Sequence, residues 1–104
     1  MTTFDDRENA FENKFAHDEE MRFRAEARRN KLLGLWVAGL IGKTGDAAAA
    51  YAGEVVAADF EEAGDEDVYR KVAGDLGARA DEITIRSKMA ELMIEAKRQI
   101  MKEV

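Results

Sequence analysis

Gly42-Lys43-Thr44 is the triplet in this chain closest to a phosphate-binding motif. In G-x-x-x-x-G-K-[ST], backbone N–H groups cradle the phosphates and the lysine side chain reaches them. The first glycine of that motif would fall where Val37 stands, and a helix, not a strand, is expected before the loop. Gly42 as a helix C-cap, with Gly45-Asp46 opening the next helix, accounts for the same residues. A weak ATP or ADP contact through Lys43 and Thr44 is the chemical alternative, and no other cofactor is expected. His17 is the one histidine, with no second His or Cys to share a metal. It reads as a solvated residue at a helix start. The alternative is a pH sensor whose protonated form is favoured by Asp18, Glu19 and Glu20. The acids Asp59, Glu61, Glu62, Asp65, Glu66 and Asp67 do not follow the D-x-[DN]-x-[DN]-G calcium loop, because Gly64 precedes the densest of them. They read as solvated helix ends and a cap, and no metal is expected. Ser87 lacks an evident base, and no spacing pairs two carboxylates in a dry pocket, so no catalytic residue and no enzyme activity are expected.

A different kind of chemistry sits in the first thirty residues. Phe4, Phe11 and Phe15 recur at i, i+7 and i+11, which sets them within about 20° of one line on an α-helix. Asp5, Asp6, Glu8, Glu12, Asp18, Glu19 and Glu20 surround them, against Arg7 and Lys14 alone before Met21. The sign then inverts with Arg22, Arg24, Arg28, Arg29 and Lys31. One reading is a helical segment folded back on the rest of the chain or extending the first helix. The other is a partly helical or flexible arm whose phenylalanine face is buried only in a partner. Full burial of one Phe contributes roughly 1.5–3 kcal/mol, so three offset the ordering of a short segment by a narrow margin. An isolated helix of this length is marginal in water, and an undocked arm should fray.

Composition limits what else the chain does. With 104 residues it has room for one domain plus an appended arm. Hydrophobic residues make up 46%, which argues against wholesale disorder. A net charge of −6 argues against general binding to nucleic acid, which needs a basic surface to release counterions. Zero cysteines exclude disulfides, thiolate catalysis and Cys-ligated zinc. The acidic N-terminus is unlike a signal peptide, and the apolar run Leu32 to Ile41 is about half of what a bilayer span requires. The expectation is a soluble, cytoplasmic protein that is monomeric when free and does not insert directly into membranes.

Zero proline and an abundance of Ala, Glu, Lys, Arg, Met and Leu favour helix throughout. The first packed helix is predicted from about Glu19 to Ile41, with Asp18 as N-cap. Met21, Ala25, Leu32, Leu35, Trp36 and Leu40 would form its apolar side, extended by Leu33 and Val37. The second is predicted from Ala47 to about Ala63, capped by Asp46 and closed by Gly64. Tyr51, Ala52, Val55, Val56 and Phe60 would face inward. The third runs from about Glu66 to Leu76 behind Asp65, on Val68, Val72 and Leu76. The fourth starts near Thr84 and carries Ile85, Met89, Leu92, Met93, Ala96 and Ile100, the cleanest amphipathic pattern in the chain. The fold class expected is all-α, a four-helix bundle over residues 19–104 with an N-terminal arm over residues 1–18.

Several blocks carry a family resemblance. Thr3-Phe4-Asp5-Asp6-Arg7-Glu8, Ala10-Phe11-Glu12 and Lys14-Phe15-Ala16-His17-Asp18 resemble the N-terminus of the zeta subunit of alphaproteobacterial F1FO-ATP synthases. Phe23-Arg24-Ala25-Glu26-Ala27-Arg28-Arg29-Asn30-Lys31-Leu32-Leu33-Gly34-Leu35-Trp36 is similar as well, as are Asp59-Phe60-Glu61-Glu62-Ala63-Gly64 and Asp65-Glu66-Asp67-Val68. The resemblance spans essentially the whole chain. It implies an inhibitor of ATP hydrolysis by F1, with the α, β and γ subunits as partners. The N-terminal segment would enter an α/β interface next to the γ stalk and block rotation. The role is similar to that of the mitochondrial inhibitor protein, on a different fold. Carried onto this chain, the inhibitory segment includes Phe4, Asp5, Arg7, Glu8, Phe11, Glu12, Lys14 and Phe15. The rival function is a small nucleotide-responsive helical binding module without enzymatic activity. The resemblance implies a cytoplasmic protein associated with the membrane-bound synthase through F1.

Overall fold

The computed structural model describes residues 18–59 and 65–103. Four α-helices account for most of them: α1 (Glu19–Leu40), α2 (Gly45–Ala58), α3 (Glu66–Leu76) and α4 (Glu82–Glu103), with a short 3-10 turn at Gly77–Arg79. There is no strand among the described residues. The phenylalanine segment and His17, and Phe60 through Gly64, lie outside the described residues.

Helix α1 starts where its sequence directs. The Asp18 carboxylate accepts a hydrogen bond from the Met21 N–H at 3.1 Å, and Glu19 and Glu20 occupy the first turn. The far end closes on Gly42, whose φ of +83° is unstrained only for glycine. There the Lys43 N–H donates to the Ala38 carbonyl at 2.8 Å and the Gly42 N–H to Gly39 at 3.4 Å, a Schellman closure. Helix α4 is capped like α1, by the Asp81 carboxylate accepting from the Thr84 N–H at 2.8 Å, so it begins at Glu82, two residues before the expected start.

Three expectations need correction. The buried line of α1 is Met21, Ala25, Arg29, Leu33 and Val37, flanked by Asn30, Gly34 and Ala38. Leu35 and Leu40 instead stay exposed, and Leu32 and Trp36 are half-buried. A step of four residues keeps one slowly winding seam against α2 and α4, and the remaining apolar residues of α1 fall beside it. Helix α2 begins at Gly45, with Thr44 as its N-cap, and Asp46 sits in the first turn as an exposed acid. It ends at Ala58, five residues short of Ala63. Asp65 precedes α3 as expected, but its carboxylate makes no capping bond and turns to Arg29 instead.

Helix α1 is the common member, packed most extensively on α2 and then α4, while α3 rests chiefly on α2. Gly34 permits the α1–α2 approach: a Cβ there would lie 2.6 Å from the Ala52 Cα. The main core joins Leu33 and Val37 to Tyr51, Val55, Val68, Val72, Leu76, Ile85 and Met89. A smaller cluster of Met21, Ala25 and Ile100 seals the opposite end of α1.

Candidate functional site

The first residues of α1 carry whatever Met1–His17 does, because the chain enters the described fold there. Asp18 fixes the entry by capping α1. Behind it, the basic run divides in two. Arg24 and Arg28 stay on the outside, Arg24 paired with Glu20 at 3.0 Å and Arg28 with Glu103 at 2.7 Å and the Gln99 side chain at 2.8 Å. Arg29 is buried, 2% exposed.

Burial of a guanidinium requires partners. Arg29 Nε donates to Asn30 Oδ1 at 2.7 Å, and a terminal nitrogen donates to Asp65 Oδ1 at 2.9 Å. Asn30 is itself fully buried, and its Nδ2 approaches the Asp59 carboxylate without closing a hydrogen bond. Asp67, 5% exposed, turns its carboxylate back to the Val68 N–H at 2.9 Å. Burial holds the Asp59 carboxyl above the usual range, with Asp67 and Asp65 adding to the rise while Arg29 and Asn30 oppose it. Burial likewise raises Glu26, helped by Asp59 and Asp65. The acids after Asp59 are therefore only in part the solvated helix ends expected. Asp65 ties α3 to α1 through Arg29, and Arg29 is the residue that sequence reasoning missed. The one signal for it was position: Arg29 stands four residues after Ala25 and four before Leu33, on the apolar line.

Gly42-Lys43-Thr44 forms the α1–α2 turn. Part of its backbone serves the helices it joins: the Lys43 N–H donates to the Ala38 carbonyl and the Thr44 carbonyl accepts from Ala47 and Ala48. The Lys43 ammonium contributes to holding the Asp75 carboxyl below its ordinary range, behind the hydrogen bond from Tyr51 and the pairing with Lys71. Tyr51 donates to Asp75 Oδ2 at 2.7 Å, and Lys71 Nζ lies 3.0 Å from the same carboxylate. This set clasps α2 to α3. Arg86 clasps α3 to α4 through Glu66 at 3.1 Å while stacking 4.0 Å from the centre of the Tyr69 ring. The positions Phe4, Asp5, Arg7, Glu8, Phe11, Glu12, Lys14, Phe15 and His17 lie outside the described residues. No group of three or more His, Cys, Asp or Glu arranged to hold a metal occurs among the described residues.

Along the N-terminal half of α1 lies a shallow groove of about 430 Å³. Phe23, Ala27, Val56 and Ile100 supply its apolar surface, and Arg24, Arg28, Lys31 and Glu103 line it as well. Phe23 is 54% exposed, unusual for so large an apolar side chain on a helix next to a core.

Over the described residues the protein is all-helical, and Arg28, Arg29, Lys71 and Arg86 pair across its helices. Comparison with known proteins then gives its family. Residues 1–99 match the family ATPase inhibitor subunit zeta, and the chain belongs to that family. It is also similar to a protein of known solution NMR structure, 62% identical, with a TM-score of 0.75. That likeness covers 81% of this chain and 99% of the other. A comparison with curated proteins gives no match. Membership in an inhibitor family carries an inhibitory role and an association with ATP synthase. Among the described residues no helix is long and apolar enough to cross a membrane.

Proposed function

We propose that this chain inhibits ATP hydrolysis by F1 through its N-terminal segment, which enters an interface between α and β subunits beside γ and blocks rotation. The observation that carries the proposal is the family match, which runs from residue 1 and so takes in the phenylalanine segment together with the helices. In this reading residues 1–18 are the inhibitory arm and residues 19–104 a four-helix bundle that serves as its handle. Phe4, Phe11 and Phe15 supply the apolar anchors, as in other helices that lie in grooves. Asp5, Arg7, Glu8, Glu12 and Lys14 set register and aid encounter. The arm acts as a wedge by binding one rotational state of F1 more tightly than the others, and this needs no catalytic group. Ordering on contact makes it a case of coupled folding and binding.

Inhibition in this reading needs no nucleotide, and the N–H groups of Gly42 and Lys43 that a phosphate cradle would use are engaged in closing α1. ATP hydrolysis by cognate isolated F1, titrated with the full chain and with a chain beginning at Asp18, tests the proposal. Starting at Asp18 keeps the cap of α1 intact. The full chain inhibits and the shortened one does not. Equal inhibition by both would place the activity in the helices and end the arm hypothesis.

A further inference from the structure

We propose that the groove on the outer side of α1 is a seat for the chain's own residues 1–17, so that the arm is held against its handle until F1 competes for it. The proposed seat has the two properties the arm's sequence asks for. Its apolar surface comes from Phe23, Ala27, Val56 and Ile100, and its charged lining is mainly basic, with Arg24, Arg28 and Lys31 against Glu103. The arm presents the Phe4/Phe11/Phe15 line with Asp5, Asp6, Glu8 and Glu12 around it. Arg24 and Arg28 each already face one acid, but Lys31 makes no ion pair among the described residues.

The dimensions agree. Phe4 to Phe15 spans about 16 Å as a helix, and Phe23 to Lys31 about 12 Å along α1. Ala16, His17 and Asp18 separate Phe15 from Glu19; extended, they reach about 10 Å, enough to reverse the chain and lay the arm antiparallel to α1. Because arm and seat are tethered, the effective concentration is on the order of millimolar, so a weak complementarity suffices to populate the closed form. The same phenylalanine face cannot be buried in the groove and in F1 at once. The regulatory consequence therefore rests on the proposed function, whereas the docking itself does not. An arm seated nine-tenths of the time would need about tenfold more protein for the same inhibition of F1.

The absence of cysteine makes the test direct, since Thr3→Cys introduces a single site for a nitroxide label. Paramagnetic broadening of the amide signals is read in the full-length protein. The proposal predicts strong broadening at Phe23, Ala27, Lys31 and Ile100, and little at the Gly42–Thr44 turn at the far end of α1. Arg24→Glu with Lys31→Glu, in a variant whose melting temperature is unchanged, abolishes the pattern, and so does high salt. Signals at the groove that are no more broadened than those elsewhere would overturn the proposal. Broadening seen only when label and isotope are on different molecules would also overturn it, because the occupant would then be a second copy. In the F1 assay, the double charge variant inhibits at several-fold lower concentration than the parent; an unchanged titration would remove the competition. If the arm fails to inhibit F1 yet the groove signals broaden, the seat stands and the function falls. If it inhibits without broadening them, the reverse holds.

Discussion

The two ends of α1 are held in different ways. Around Leu33 and Val37 all four helices meet, and Val55, Val68, Val72, Leu76 and Ile85 pack there with at most 1% exposure. Around Met21 and Ala25 the apolar contact thins to a cluster completed by Ile100, with Met93 and Met101 half-buried beside it. Much of the tie between helices near this end is ionic, from Arg28 to α4 and from Arg29 to the start of α3. The first end is a branched aliphatic core with defined rotamers, and the second is methionine-rich and adaptable. The proposed arm leaves from the second. A working segment tethered there can change partners without disturbing the part of the molecule that keeps it folded.

The largest effect separating the two ends comes from truncating their cores. Leu33→Ala should cost about 2–5 kcal/mol, since the site is fully enclosed and the neighbouring helices cannot close the space. Met21→Ala should lie near the bottom of that range, about 2 kcal/mol, because the thin end can settle around it. Equal losses in denaturant titrations would show that the two ends are held alike.

Glycine substitutions in α1 sharpen the same contrast at smaller scale. Gly34→Ala forces a Cβ against the α2 backbone and should destabilise by about 1–3 kcal/mol, reduced by the helix propensity gained. Gly39→Ala meets nothing within 4 Å and should stabilise by up to about 1 kcal/mol. Thermal melts of the two variants should therefore shift in opposite directions.

The smallest effect is electrostatic. Burial first, and then Asp59 and Asp65, raise the Glu26 carboxyl, so the folded state holds that proton more tightly than the unfolded chain. Its contribution to stability is greatest below the unfolded pKa and is lost as pH rises through the folded one. Glu26→Gln removes the cost of ionisation, so the variant should melt higher than the parent at pH 7. The gap should close as pH falls below the ordinary glutamate range. A pH-independent gap would assign the effect to packing. Asp75 works in the opposite sense: the hydrogen bond from Tyr51 and the pairing with Lys71 lower its pKa, so its contribution is lost as pH falls through the folded value.

Much of this architecture can be read locally. Asp18 before Glu19-Glu20, the Val68/Val72/Leu76 line and the Ile85-to-Ile100 pattern each lie within a few residues of what they determine, and each appears in the fold as expected. What escaped depends on contacts distant in sequence. Arginine is a surface residue by default, and Arg29 is buried only because Asp65, thirty-six positions later, meets it. The buried face of α1 differs from the expected one for a related reason. Its second half is apolar around most of its circumference, so the sequence offers several equivalent faces, and the seam is chosen by Gly34 letting α2 approach. The early end of α2 had no sequence mark before Gly64. For residues 1–17, which lie outside the described residues, spacing and charge suggest an amphipathic segment, and the inhibitory role proposed for it rests on the family match.

The central claim is that inhibition resides in the phenylalanine line of the arm and not in the helices. ATP hydrolysis by cognate F1, titrated with the parent and with a Phe4→Ala, Phe11→Ala, Phe15→Ala variant of the same melting temperature, tests it most directly. The account predicts that the variant leaves hydrolysis uninhibited at concentrations where the parent arrests it. Inhibition by the variant at the parent's concentration would contradict the account.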